Sequence, residues 1–212
     1  SDIGLETEIT DPSKIIEWGG RSMNRKLLAL APLLVFVLLC VFLYQGLFAN
    51  PRELQTGRIG QAMPTFNLPD LMDESKRWTD TDLKGEVYLL NVWGTWCPTC
   101  LAELGYLTEL REQGVKIIGL YYEQGYDPDF DGQFDIDALR DDVTSMLNRA
   151  GDPYQFNILD LKRTLALDLG VSGVPETFLV DKQGTILLHH TGDINPRVWR
   201  AKFAPLMQEL QQ

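Results

Sequence analysis

An α/β domain carried behind one membrane-spanning helix is the architecture this sequence predicts, and three observations predict it. Strand-like and helix-like stretches alternate from residue 61 to the end, the pattern of α/β folds. Two of the strand-like stretches, 87–93 (Val-Tyr-Leu-Leu-Asn-Val-Trp) and 115–122, are nearly continuous apolar runs, as strands covered on both faces are. Near the N-terminus, residues 27–49 form 23 consecutive positions without a charge, about 34 Å of helix and enough to cross a bilayer core. The 212 residues allow one ordinary domain with accessories and argue against two fused enzymes. With 44% hydrophobic and 23% charged residues the chain is neither disordered nor collagen-like, and a buried core is expected.

The uncharged stretch reads as an uncleaved anchor. Its exit, Gly46-Leu47-Phe48-Ala49-Asn50, carries bulky residues where signal cleavage needs small ones. Cys40 follows Leu39 rather than a small residue, so it reads as a lipid-facing or packing position and not a lipidation site. Arg21, Arg25 and Lys26 mark the N-terminal flank as cytoplasmic, which puts everything after Asn50 outside. Of the 19 basic and 30 acidic residues, 15 and 25 lie beyond Asn50, so the outer part carries −10 of the net −11. That balance excludes nucleic acid as a partner, because phosphate binding needs a basic footprint. Met23-Asn24-Arg25-Lys26-Leu27 looks like the start of an anchored protein. The expected layout is an extension with no assigned fold at 1–22, a cytoplasmic start and anchor at 23–49, a tether at 50–60 and the outer domain at 61–212.

Within that domain the 87–93 strand leads into a helix beginning at Cys97, whose Leu101, Leu104, Leu107 and Leu110 fit one face and which ends at Gly114. A second strand covers 115–122. Ile136, Leu139, Val143, Leu147 and Ala150 recur at helical spacing, with Asp135 able to cap the start and Gly151 and Pro153 ending the run. Residues 155–159 can form a strand and 161–169 a short helix. Residues 177–181 and 186–190 flank Lys182-Gln183-Gly184, a hairpin, and 196–210 closes the chain with a helix.

Trp96-Cys97-Pro98-Thr99-Cys100 follows a buried strand and opens a helix, the context of a redox Cys-x-x-Cys pair. Unpaired amides and the macrodipole at a helix start favour a thiolate, so Cys97 is the candidate nucleophile. Cys100, one turn inward, is placed to resolve a mixed disulfide. A structural disulfide or half of a zinc site are the plainer readings, and neither accounts for the strand-to-helix setting. Trp93 reads as core. Trp96 reads as a border of the exposed face on which a partner peptide lies, beside Pro98 and Thr99.

Three segments, 91–100 (Asn-Val-Trp-Gly-Thr-Trp-Cys-Pro-Thr-Cys), 173–181 (Gly-Val-Pro-Glu-Thr-Phe-Leu-Val-Asp) and 192–199 (Gly-Asp-Ile-Asn-Pro-Arg-Val-Trp), together resemble the CcmG/DsbE family, the membrane-tethered thioredoxin-like proteins of bacterial cytochrome c maturation. The resemblance spans residues 23–210. It implies a thioredoxin-like fold, a mixed central β-sheet flanked by helices. It implies a periplasmic, single-pass inner-membrane disulfide reductase whose redox centre is the Cys97–Cys100 pair, with no other cofactor and no metal. Apocytochrome c, directly or through a CcmH-type thiol protein, is the implied substrate, and a DsbD- or CcdA-type membrane protein the electron donor. It also implies that Val174 and Pro175 form a cis-proline loop opposite the cysteines, a substrate-binding element with Glu176. Asn91 stands where ordinary thioredoxins carry a buried Asp, so proton transfer at Cys100 needs another group. Glu103, one turn beyond Cys100, and Glu176 match acidic positions of the family. A carboxylate there opposes thiolate formation, the plain alternative for Glu103 being a solvated acid at a helix start.

Other signals carry less. Asp127-Pro128-Asp129-Phe130-Asp131-Gly132 with Asp135 imitates a calcium loop, but its closing position is Ala138 and not an acid, which favours a solvated acidic insertion. His189 and His190 read as solvated hairpin residues. A thiol peroxidase of related fold lacks its usual Thr, since Gly94 stands three residues before Cys97. A copper or zinc carrier using the same thiols would have only His189 or His190 as helper.

Overall fold

The computed structural model describes residues 25–48, 58–126, 131–132 and 134–210. The chain divides into two compact units, Ser1–Asn50 and Pro51–Gln212. In the first, α1 (Arg25–Phe48) is a 24-residue helix with Pro32 inside it. Its described side chains, residues 32–44, are exposed, Leu33 to Tyr44 being mostly large and apolar. Among the described residues no helix is long and apolar enough to cross a membrane. The expected extension at 1–22 and the tether up to residue 57 lie outside the described residues.

The first strands of the second unit form a hairpin whose residues carry no alternation signal. Its strands β1 (Asn67–Pro69) and β2 (Arg77–Thr79) have three residues each and pair antiparallel. The Asp70 carboxylate closes it, accepting from the backbone N–H of Met72 and Asp73 and from Trp78 Nε1.

The main sheet follows in chain order as β3 (Tyr88–Trp93), α2 (Pro98–Glu112), β4 (Ile117–Tyr121), α3 (Ile136–Ala150), β5 (Asn157–Leu159), α4 (Thr164–Leu169), β6 (Glu176–Val180) and β7 (Ile186–Thr191). The strand order is β5-β4-β3-β6-β7. The β3–β4 and β4–β5 pairs are parallel, and β3–β6 and β6–β7 antiparallel. This is the mixed central sheet of a thioredoxin-like fold. β3, fully buried, is the middle strand.

Alternation along the strands sorts side chains into two layers. Leu89, Trp93, Ile117, Tyr121 and Leu179 pack with Leu104, Leu107, Val143 and Phe203 on one face. Leu90, Val92, Ile118, Phe178 and Val180 pack with Leu165 and Leu169 on the other. Asn91 lies between Leu89 and Trp93 in register, so it points toward α2.

Helix boundaries follow local chemistry. Asp135 caps α3 by accepting from Ala138 N–H, and Gly151 ends it at φ 112°, a conformation glycine adopts freely. The capping role leaves Asp135 serving the helix, while 127–130 of the calcium-like loop lie outside the described residues. The closing helix is interrupted: α5 (Pro196–Val198) passes through a π-turn, Trp199–Phe203, into α6 (Ala204–Leu210). The face of α2 also departs from expectation. Leu101 is exposed, and the buried positions are Cys100, Glu103, Leu104, Leu107 and Leu110.

Candidate active site

At the C-terminal end of the central strand β3 a tight turn leads into α2, with Cys97 as its N-cap and Pro98 at the first helical position, where its missing N–H costs nothing. Cys97 and Cys100 are joined by a disulfide. Cys100 N–H donates to Cys97 Sγ at 3.0 Å, so an unpaired helix-start amide is aimed at the sulfur that would bear charge after reduction. Cys97 is less open than a helix-start thiol suggests: it is 4% exposed and Cys100 0%. Pro98 and Thr99 are exposed and rim the pair. Trp96 is half-buried, its Nε1 donating to Tyr122 O at 3.2 Å, and a cleft of about 380 Å³ lies between it, Thr95 and the α3 residues Asp142, Ser145, Met146 and Arg149.

Behind Cys100 lies a buried polar network. Glu103 is 2% exposed, which excludes the plain alternative of a solvated helix-face acid. Its Oε1 accepts from Asn91 Nδ2 at 3.0 Å and its Oε2 from Ile194 N–H at 2.8 Å. Asn91 Nδ2 also donates to Thr177 Oγ1 at 3.0 Å, and Tyr154 OH donates to Asn91 Oδ1 at 2.7 Å. Every polar group of the Asn91 amide is thus occupied. Burial pushes the Glu103 carboxyl up to about 7, overcoming the opposing pull of its Ile194 and Asn91 hydrogen bonds. Neither Tyr154 nor Ile194 was a sequence candidate. The signal for Glu103's orientation was there, since Cys100, Glu103, Leu104 and Leu107 share a helical stripe.

The second acid has a different environment. β6 pairs antiparallel with β3 so that Glu176 opposes Val92, placing Val174 and Pro175 next to the strand end that leads into the cysteine turn. The Val174–Pro175 peptide is cis, and Val174 packs against both core layers. Glu176 alternates with Thr177, so its fully buried side chain lies on the sheet face opposite Asn91 and Glu103. Its Oε1 accepts from Ser172 N–H, Ser172 Oγ and Gly173 N–H at 2.9, 2.7 and 3.0 Å. Its Oε2 lies 2.7 Å from His189 Nε2. Burial raises the Glu176 carboxyl, but the hydrogen bonds from His189 and Ser172 outweigh it and hold it below its ordinary value.

Both histidines depart from the solvated-hairpin reading. The His189 side chain is 3% exposed and stacks on Phe178 with ring centres 4.2 Å apart. His190 is half-buried beside Asp193 O. Its imidazole is held below its ordinary value chiefly by burial. Among the described residues no group of three or more His, Cys, Asp or Glu is placed to hold a metal.

A disulfide of two cysteines three apart, at the start of a helix packed on a mixed five-stranded sheet, defines a thioredoxin-like thiol–disulfide exchange protein. Residues 58–204 match the Redoxin family. Thiol:disulfide interchange protein DsbE of Pseudomonas aeruginosa is 44% identical over 188 residues, 89% of this chain and 96% of that one. DsbE of Vibrio cholerae is 42% identical, covering 89% and 97%, and that of Escherichia coli 38% identical, covering 88% and 96%. The chain belongs to the DsbE family of thiol:disulfide interchange proteins. A thio-disulfide isomerase from Thermus thermophilus shares the fold at a TM-score of 0.52 and 22% identity, covering 72% of this chain and 94% of that one. A secreted thiol-disulfide isomerase from Corynebacterium glutamicum does so at 0.53 and 23%, covering 69% and 85%. The protein is therefore a thiol–disulfide oxidoreductase acting through Cys97 and Cys100.

Proposed function

We propose that this oxidoreductase works as a reductase of protein disulfides in cytochrome c maturation, held at the outer face of the inner membrane by α1 with its catalytic unit in the periplasm. One observation carries the mechanism: of the two cysteines only Cys97 has accessible surface, and a backbone amide points at its sulfur. In the reduced protein the Cys97 thiolate attacks one sulfur of the client disulfide, forming a mixed disulfide as the other client sulfur leaves as thiolate. Cys100 loses its proton and attacks Cys97 Sγ, closing the Cys97–Cys100 bond and releasing the second client thiol. The client gains two electrons and two protons, and a membrane dithiol donor of the DsbD or CcdA type restores the pair. Glu103 is the group assigned to take the Cys100 proton, since residues three apart share a helix face and its carboxyl is held near neutrality.

Trp96, Pro98 and Thr99 on one side and Val174, Pro175 and Glu176 on the other are the substrate-binding elements of this reading. The exposed rim and the adjacency of the β6 start to the cysteine turn support it. The anchor is supported by the sequence, in which 27–49 carries no Asp, Glu, Lys or Arg over a length of about 34 Å as helix. Apocytochrome c, or a CcmH-type protein standing between the two, is the proposed client, on the strength of the family's role. Trapping tests it: Cys100→Ser in cells should accumulate mixed disulfides through Cys97 to one of these proteins. Recovery of neither, with unrelated periplasmic proteins captured in their place, would refute the assignment to cytochrome c maturation.

A further inference from the structure

We infer that His189 is a positioning residue for client binding, acting through Glu176 on the loop that precedes the cis-proline. This rests on the reading of the Val174–Pro175 loop as a substrate-binding element. The two oxygens of Glu176 have separate tasks. Oε1 gathers Ser172 N–H, Ser172 Oγ and Gly173 N–H, fixing the backbone two and three residues ahead of Pro175 from beneath. Oε2 meets His189 Nε2 and nothing in that loop. A carboxylate with one oxygen bound to a loop can still pivot about its terminal torsion, and that torsion is soft. The His189 contact fixes it.

The imidazole is itself fixed. It is flattened on Phe178, interplanar angle 4°, on the strand that carries Glu176, and β6–β7 pairing sets Phe178 opposite His189. The strut therefore runs from the edge strand β7, through Glu176 at the start of β6, into the 172–173 backbone. Ser172 is exposed while Glu176 is fully buried, so the loop meets solvent on one side and the carboxylate on the other. The Glu176 side chain and the Asn91–Glu103 network lie on opposite faces of the sheet. His189 should consequently govern how a polypeptide docks without altering the chemistry of the sulfurs.

Steady-state reduction of a protein disulfide, compared with reduction of a small aromatic disulfide, tests this in the full chain. His189→Phe keeps the stacking surface and removes the donor; His189→Gln restores an N–H. The expected result is a KM for the protein disulfide raised about tenfold in His189→Phe. Its kcat and its rate with the small disulfide should be unchanged, and KM should return to within about twofold of the parent in His189→Gln. Thermal melts of all three establish that the fold is intact. The inference is overturned if folded His189→Phe keeps the parent KM while Glu176→Ala raises it, in which case the loop reading survives without His189. If neither variant changes KM, the loop reading itself falls with it. A His189→Phe loss seen equally with the small disulfide, or not restored in His189→Gln, also overturns it.

Discussion

Glu103→Gln isolates the charge of the buried acid from its shape. The folded protein holds the Glu103 proton up to about pH 7 where the ordinary value is 4.5. A folded-state value raised above the unfolded one means that the stability tied to the neutral acid is fully present below about 4.5 and is lost as pH climbs through 7. At 1.36 kcal/mol per unit the loss amounts to about 3 kcal/mol by pH 8. Glutamine has no such titration. Its oxygen can accept from Ile194 N–H, and its amide can donate to Asn91 Oδ1 once that side chain turns over. The turned Asn91 Nδ2 then meets Tyr154 OH as acceptor, so the network closes again without the charge. Relative to Glu103→Gln, the parent should lose about 3 kcal/mol of stability between pH 4 and pH 8. Urea unfolding of both proteins across that range measures it, with the disulfide oxidised so that neither cysteine titrates. Groups that do not interact with Glu103 cancel in the difference. Curves that stay parallel to within about 0.5 kcal/mol would show that burial does not perturb Glu103, and the argument from desolvation would fail. In the reduced protein the same substitution should make the Cys100 thiol more acidic, by removing a like charge one turn away. It should also slow release of mixed disulfides if Glu103 receives the Cys100 proton.

Cys97→Ala should abolish exchange, falling to the background of the uncatalysed reaction, while the melt still shows a cooperative fold; retained turnover would transfer the nucleophile's role elsewhere. Tyr154→Phe removes the donor to Asn91 Oδ1 and leaves a buried acceptor short, a cost of about 1–3 kcal/mol, so an unchanged melting temperature would contradict the network as described. At Gly119 a Cβ would fall 1.8 Å from Asn157 Oδ1 and 2.8 Å from Trp93 Nε1, so Gly119→Ala must break the Trp93–Asn157 hydrogen bond. An unfolding free energy lowered by about 1–3 kcal/mol is expected from urea unfolding, and a stability equal to the parent's would mean that this packing is looser than the geometry states.

The parts of the fold that the sequence made legible are those with long periodic signals. β3, α2, β4 and α3 lie where their apolar runs and caps put them, and the setting of Cys97 between a buried strand and a helix was readable from order alone. The β1–β2 hairpin was not, because strands of three residues containing Arg77 and Pro69 have no alternation to read, and the hairpin is held by the Asp70 side chain. The π-turn at Trp199–Phe203 shows in no pattern either, since a single widened turn leaves helical spacing nearly intact. In the site the one reading overturned is that of His189 and His190 as solvated hairpin residues, and what the sequence could not show is how its polar residues are buried. Glu103, Glu176 and His189 look like surface residues by type. Burial is made tolerable by partners 91, 4 and 13 residues away, namely Ile194, Ser172 and Glu176, and no local window contains a contact across 91 residues. Leu101, apolar and exposed, is the matching case in reverse.

The unequal exposure of the two cysteines bears on oxidative damage. With the exposures of the disulfide form kept on reduction, a peroxide meets Cys97 first, since Cys100 has no accessible surface there. The first product is a sulfenic acid on Cys97, one step up a ladder whose higher rungs are irreversible. Cys100 stands one helical turn away and can condense with it, Cys97–SOH and Cys100–SH yielding the disulfide and water. The condensation returns the chain to the disulfide state of its working cycle. The arrangement that orders exchange with a client therefore also protects the centre against over-oxidation, and the fully buried cysteine acts as the repair reagent for its neighbour.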